Sequence, residues 1–94
     1  MAIEKTSIIQ RGEDYIFNIV DGELVMMNIN TGLYLSINET GKAIWEILTK
    51  PASVNLIINE IGKIYNVSPE QCEADVISFI ADLTNRKVII EAKS

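Results

Sequence analysis

The feature that most constrains the fold is a pair of apolar runs separated by a short turn signal. The runs are Leu24–Ile29 and Leu33–Ile37, and Asn30-Thr31-Gly32 lies between them. A three-residue loop that ends in glycine is a common hairpin form, because glycine readily adopts the left-handed backbone conformation. This loop predicts a hairpin with one entirely apolar face, on which the cross-strand pairs are Ile29–Leu33, Met27–Leu35 and Val25–Ile37.

The second strand of this hairpin leads directly into a helix. Asn38 is a favourable N-cap, and the apolar spacing predicts a first helix over Glu39–Thr49 that ends before Pro51. A strand that ends a meander and enters a helix can keep one unpaired edge. We therefore expect the edge Leu33–Ile37 to be open and to carry the function of the protein.

A preceding strand, Tyr15–Val20, is rich in β-branched and aromatic residues and is followed by Asp21-Gly22. Two turn lengths are open. A three-residue turn that includes Glu23 places Tyr15, Phe17 and Ile19 on one face with Val25, Met27 and Ile29, whereas a two-residue turn places the two sets on opposite faces. We favour the three-residue turn because it makes one continuous apolar face.

Two further helices follow. The second is predicted to begin after Ser53, to end near Asn66 and to carry one apolar stripe, formed by Val54, Ile57, Ile58, Ile61 and Tyr65. The third opens with Ser68-Pro69-Glu70-Gln71, which combines an N-cap with proline at the first helical position, and extends to about Arg86.

The two ends of the chain are less regular. The segment Met1–Asp14 contains Ile8-Ile9 and is either a frayed end or a short extra strand, and Lys87–Glu91 is compatible with a short closing strand. The sequence therefore predicts a single α+β domain over residues 1–94. Its architecture is winged-helix-like, with an N-terminal three-stranded antiparallel β-meander packed on three α-helices and a short C-terminal strand.

The third helix carries more apolar surface than one neighbour needs. Cys72, Val76, Phe79 and Leu83 form a narrow stripe, and Ile77 and Ile80 widen it on one flank, with Glu73 and Thr84 beside them. One interpretation is a deeply packed helix. The other is that Ile77 and Ile80 line a groove against the open strand edge.

Composition restricts the classes of function. With 48% hydrophobic and 22% charged residues the chain is globular, and no apolar run approaches the roughly 20 residues that span a bilayer. The N-terminus lacks the shape of a signal peptide, so we expect a cytoplasmic protein without membrane partners. The net charge of −5 disfavours a polyanionic partner such as a nucleic acid.

The chemistry of the side chains indicates that the protein is not an enzyme. The chain has no histidine, and Cys72 is its single cysteine, placed in the apolar stripe of the third helix as a buried residue would be. The carboxylates are scattered, which predicts neither a metal site nor a cofactor. A winged-helix DNA-binding regulator is an alternative from a different class, but the acidic residues of the third helix would repel phosphate.

Three segments together resemble the PqqD-like superfamily, over roughly Tyr15 to Ile90: GELVMMNINTGLYLSINETGKAIWEIL, then IYNV, then SPEQCEADVISFIADLTNRKVI. Members serve as recognition elements for precursor peptides in the biosynthesis of ribosomally made, modified peptides. The chain looks most similar to the separate recognition proteins of lasso-peptide clusters. The resemblance therefore implies that it binds a precursor leader peptide and presents it to processing enzymes.

The resemblance also implies a binding mode. In such domains the leader adds as an antiparallel strand to the third strand of the sheet, and its side chains enter a groove beside the third helix. Carried over to this sequence, the peptide-binding residues are Leu33, Tyr34, Leu35 and Ser36 on the strand, and Glu73, Val76, Ile77, Ile80 and Thr84 on the helix. The implied partners are a cysteine leader peptidase and a macrocyclising synthetase. The alternative within the superfamily is a peptide chaperone in pyrroloquinoline quinone biosynthesis.

Overall fold

Two antiparallel sheets and three helices enclose one hydrophobic core in a computed structural model that describes residues 3–92. Along the chain the elements are β1 (Ile8–Arg11), β2 (Tyr15–Val20), β3 (Glu23–Asn28), β4 (Tyr34–Ile37), α1 (Glu39–Ile47), β5 (Ala52–Ser53), α2 (Val54–Ile64), α3 (Pro69–Asn85) and β6 (Ile89–Glu91). The strand order is β2-β3-β4 in the meander sheet and β5-β1-β6 in the terminal sheet. The predicted α+β class, with its meander, three helices and closing strand, is confirmed.

The turn between β2 and β3 has two residues, so the three-residue turn that we favoured is wrong. Asp21 and Gly22 both have positive φ, at 53° and 81°, and Val20 pairs directly with Glu23. Aspartate tolerates the left-handed region, which allows the tight mirror-image turn that matches the twist of a hairpin. As a result Phe17 and Ile19 share a face with Met26 and Leu24, their cross-strand partners.

The predicted register of the β3–β4 hairpin is wrong by one residue. Met26 pairs with Leu35 and Leu24 with Ile37. The hydrogen bond from the Asn28 amide to the Leu33 carbonyl closes a loop of four residues, 29–32. The reason is Asn28, whose carbonyl accepts from the Gly32 amide at 2.8 Å and whose Oδ1 accepts from the two amides of Asn30 and Thr31 at 2.9 and 3.1 Å. Since these bonds turn the chain one residue earlier, the inner face carries Leu24 and Met26, both fully buried. Val25 and Met27 lie on the outer face.

The helices begin where the sequence predicts. The side chains of Asn38, Ser53 and Ser68 each accept a hydrogen bond from a backbone amide of the first turn, at 2.9, 3.1 and 3.2 Å. The first helix ends at Ile47, two residues earlier than expected. Burial follows the predicted stripes of the second and third helices at Val54, Ile57, Ile61, Cys72, Val76 and Leu83. None of the helices within residues 3–92 is long and apolar enough to cross a membrane.

The N-terminal segment forms a strand rather than a frayed end. β1 lies between β5 and β6, and Ile9 pairs with Ala52 on one side and Glu91 on the other. Ile9 is fully buried. The adjoining Gly12 donates to the Val88 carbonyl at 2.9 Å, and a side chain at this position would clash with the Lys87 carbonyl.

Arg11 links the terminal sheet to α1 and the meander. Its Nε and Nη2 donate to the Trp45 carbonyl at 3.1 and 2.8 Å, and its guanidinium carbon lies 4.3 Å from the centre of the Trp45 ring. Phe17 packs edge-on against the same ring at 5.2 Å. Burial lowers the pKa of the Arg11 guanidinium and the Glu46 carboxylate opposes that shift, yet an arginine stays charged at working pH. This cluster therefore holds the two sheets together.

Candidate functional site

The strand β4 forms an open edge of the meander sheet. Within residues 3–92 it pairs only with β3. The Leu33 carbonyl accepts from the Asn28 amide at 2.9 Å, which fixes the alternation of the antiparallel ladder. It follows that the backbones of Leu35 and Ile37 turn towards β3, whereas those of Tyr34 and Ser36 turn outwards. The edge thus presents the N–H and C=O groups of Tyr34 and Ser36 to a further strand.

A cleft lies beside this edge, between β4 and α3. It has a volume of about 160 Å³, and its main walls are Leu35, Ser36 and Ile37 on the strand side and Phe79, Asp82, Leu83 and Arg86 on the helix side. A second depression of about 310 Å³ continues along α3 and is lined by Asp75, Ser78, Phe79 and Asp82. Because Phe79 borders both, the two form one groove that runs along the helix, with Phe79 at its centre.

The groove has an apolar floor and a polar rim. Asp82 Oδ1 lies 3.4 Å from Arg86 Nε, and both side chains are about half exposed. The Arg86 carbonyl accepts from the Tyr15 hydroxyl at 3.1 Å, which ties the end of α3 to β2. Asp75 accepts from Gln71 Nε2 at 2.9 Å. Exposed pairs of this kind contribute little to stability, so these side chains are free to exchange partners with a ligand.

The structure brings part of the predicted strand side to this groove. Leu35 and Ser36 line the cleft. Tyr34 is 75% exposed. Because it directly precedes Leu35, its side chain projects onto the opposite, outer face of the sheet. Leu33 is 70% exposed and precedes β4 directly. All four predicted strand residues therefore lie at the open edge, although on two different faces.

The predicted helix side does not line the groove. Val76 and Ile80 are fully buried in the core, and Glu73 forms an ion pair with Lys5 at 2.7 Å. Ile77 and Thr84 lie on that same flank, about 160° and 140° around the helix axis from Phe79 in the same direction. The expectation that Ile77 and Ile80 face the strand edge is thus wrong, because the centre of the buried stripe is at Val76 and Ile80 and the opposite flank turns to β4. Any contact of these five residues with a peptide stays a prediction.

The residues that the sequence reasoning missed are Phe79, Asp82, Leu83 and Arg86. Phe79 and Leu83 were recognised as part of the apolar stripe, which was the available signal. Asp82 and Arg86 carry no such signal, since only the rotation of α3 in the fold brings them to the cleft.

The remaining reactive side chains do not form a constellation. Cys72 is buried as predicted, and its Sγ donates to the Ile58 carbonyl at 3.5 Å. Over residues 3–92 no three histidine, cysteine or acidic side chains are grouped closely enough to hold a metal ion. What the described surface offers is an open strand edge and an adjoining groove.

The chain is similar to known proteins in both sequence and structure. The sequence profile of the family described as coenzyme PQQ synthesis protein D (PqqD) matches residues 23–89. No curated protein sequence matches the chain. Among solved structures, TbiB1 in complex with the TbiA(beta) leader peptide is 22% identical, with a TM-score of 0.78, and the match covers 90% of this chain and 99% of that chain.

Two further structures share the fold. A lasso peptide synthetase B1 complexed with a leader peptide is 15% identical with a TM-score of 0.71, and 87% of this chain and 96% of that chain are covered. The solution structure of the PqqD truncation of Methylobacterium extorquens PqqCD is described as a stand-alone recognition element for ribosomally synthesised and modified peptides. It is 16% identical with a TM-score of 0.74, and 94% of each chain is covered.

Proposed function

The chain belongs to the PqqD family, and on that premise we propose that it binds the leader segment of a ribosomally synthesised precursor peptide. The leader adds as an antiparallel strand to β4, and its side chains enter the groove beside α3. The observation that carries the proposal is the open edge, at which the backbones of Tyr34 and Ser36 turn outwards next to a cleft with an apolar floor and a polar rim. Strand addition of this kind uses backbone hydrogen bonds for affinity and side-chain pockets for selectivity.

Because side chains alternate along a strand, the two faces of a strand added to β4 have different surroundings. Side chains on its inner face meet Leu35 and Phe79 in the groove, where apolar residues of the leader lose contact with water. Side chains on its outer face lie beside Tyr34. The leader should therefore be recognised by apolar residues two positions apart, with polar residues tolerated between them.

We further propose that the bound leader is delivered to a cysteine leader peptidase and a macrocyclising synthetase. Both TbiB1 and a lasso peptide synthetase B1 share the fold and hold a leader peptide, and the second of them supports this pathway. A peptide chaperone in pyrroloquinoline quinone biosynthesis is the second candidate, and the description of the matching family supports it. The genes that neighbour the coding sequence distinguish the two pathways.

Amide measurements on isotope-labelled protein test the binding mode. On titration with a cognate leader we expect the Tyr34 and Ser36 amides to gain protection from hydrogen exchange, because they acquire hydrogen bonds. The Leu35 amide, which already faces β3, should change less. A scrambled leader of equal composition is the control. Protection confined to α2 would place the leader elsewhere, and no binding by leaders of either pathway would refute the proposed function.

A further inference from the structure

Another depression adjoins the leader site at the end of β4. We call it the acidic depression, and it has a volume of about 600 Å³ between the β2–β3 turn and the start of α1. Its lining comprises residues 36–38 on the strand side, Asp21, Gly22 and Glu23 around the turn, and Glu39 and Lys42 on the helix. Residues 36–38 also line the cleft between β4 and α3. The acidic depression is therefore continuous with the groove that the leader occupies.

The direction of an added strand decides which part of the leader reaches the acidic depression. β4 runs from Tyr34 to Ile37, and the acidic depression lies at its Ile37 end. A leader strand antiparallel to β4 runs the opposite way, so the residues that precede the one opposite Ser36 lie beside Ile37 and then Asn38. At about 3.3 Å per residue, the second and third residues before that position reach the depression. The N-terminal side of the leader strand is therefore the part that meets this surface.

The acidic depression carries an excess of negative charge. Asp21, Glu23 and Glu39 are exposed carboxylates, and Lys42 is the one basic residue of the lining. The ion pairs formed among residues 3–92 involve none of the three carboxylates. Lys42 Nζ donates to the Gly22 carbonyl at 2.9 Å, which links α1 to the β2–β3 turn. Since one ammonium group faces three carboxylates, the lining as a whole attracts a cation.

The start of α1 does not reverse this preference. A helix N-terminus attracts anions through amides that have no partner in the helix. Here Asn38 accepts from two of them, because its Oδ1 lies 2.9 Å from the Gly41 amide and its carbonyl oxygen lies 2.8 Å from the Lys42 amide. Glu39 already places a carboxylate in the first turn. An acidic leader residue would thus meet like charges, whereas lysine or arginine would meet opposite ones.

The cation that fits is a side chain of the leader rather than a metal ion. Over the described residues no three acidic side chains are grouped closely enough to hold a metal. Carboxylates spread around a space of about 600 Å³ suit the long side chains of lysine and arginine. We propose that the acidic depression selects leaders with lysine or arginine two or three residues before the position opposite Ser36, and that it rejects leaders with acidic residues there. The inference rests on the leader-binding function proposed above and names a specificity of that same site.

Two synthetic versions of the cognate leader test this inference. Nuclear Overhauser contacts with isotope-labelled protein identify the leader residue opposite Ser36, and the second and third residues before it are both lysine in one version and both glutamate in the other. At about 0.02 M salt, fluorescence anisotropy should show the lysine leader binding about five- to ten-fold more tightly, because exposed charge pairs each contribute modestly. At about 0.5 M salt, screening should reduce this ratio of affinities to within about two-fold.

A variant of the protein shows which charges set the preference. Glu23→Gln/Glu39→Gln removes two of the three carboxylates with side chains of similar shape, and the remaining charge of Asp21 is balanced by Lys42. We expect this variant to bind the lysine and glutamate leaders within about two-fold of each other at low salt. Circular dichroism confirms that it is folded.

The matched control is Glu70→Gln/Glu91→Gln, which removes the same number of charges from α3 and β6, and it should keep the wild-type ratio. Loss of the ratio in both variants would overturn the inference, because the net charge of the protein would then set the preference. A ratio that persists in Glu23→Gln/Glu39→Gln, or wild-type affinities within two-fold of each other at low salt, would overturn it as well. In these cases the leader still binds and the proposed function stands. Absence of leader binding by the wild type would refute the proposed function itself.

Discussion

Phe79 is the side chain on which the position of the groove depends, because it borders both depressions along α3. Phe79→Asp should weaken leader binding about ten-fold or more, since it removes the apolar wall of the groove and gives it a charge that the leader would have to desolvate. Ile77→Asp is the matched control, since Ile77 is also partly buried but lies on the opposite flank. Isothermal titration calorimetry measures both affinities, and circular dichroism confirms that both variants are folded. A larger loss of leader affinity for Ile77→Asp would show that the leader binds on the flank of α3 that the sequence predicted.

Ile80 shows why the sequence predicted that α3 borders a groove but not which face of α3 does so. The spacing of apolar residues predicted the stripe correctly, yet both flanks of a stripe have the same periodicity. Which flank meets β4 is decided by how α3 rotates to bury Val76 and Ile80, and that depends on all its neighbours. A charge at Ile80 would be buried in the core and would unfold the protein, so it cannot report on binding.

At the scale of elements, the open edge of β4 is the feature to test. Ser36→Pro removes an outward N–H group and places a ring where the added strand must lie, so leader binding should fall about ten-fold or more. Ser36→Ala keeps the backbone donor and should bind within about two-fold of the wild type. Fluorescence anisotropy with a labelled leader measures both. Equal binding by the two variants, with both folded, would exclude strand addition at β4.

The elements also separate what sequence can predict from what it cannot. Helix starts were predicted correctly because a cap such as Asn38 bonds to an amide three residues away, which is a local interaction. Strand register was not, because the β2–β3 turn admitted two lengths and the single length predicted for the β3–β4 loop was one residue too short. Asn28 decided one through its side-chain hydrogen bonds, and Asp21 decided the other by adopting positive φ. Since a shift of one residue exchanges the two faces of the sheet, Val25 and Met27 were also assigned to the wrong face.

At the scale of the whole molecule, the first and last strands of the described chain, β1 and β6, pair in one sheet. β1 pairs on one side with β6, which lies about eighty residues later in the sequence, and on the other side with β5. Such pairings of distant segments leave no local signal, which is why Met1–Asp14 could only be given two alternatives. Arg11 then joins this terminal sheet to Trp45 and Phe17. The proposed leader site therefore depends on both sheets, because α1 contacts β3 whereas α3, which lines the groove, contacts β6.

That dependence can be measured with two neighbouring residues of β1. Ile9 is fully buried, whereas Ile8 is 41% exposed on the opposite face of the strand. Ile9→Ala should lower the free energy of unfolding by about 2–5 kcal/mol, because it leaves a cavity between the terminal sheet and the helices. Ile8→Ala should lower it by less than about 1 kcal/mol. Guanidinium unfolding followed by tryptophan fluorescence, which reports on Trp45, and by circular dichroism should give one coincident transition. Separate transitions for the two probes would mean that the terminal sheet unfolds on its own, and the leader site would then keep its affinity in Ile9→Ala.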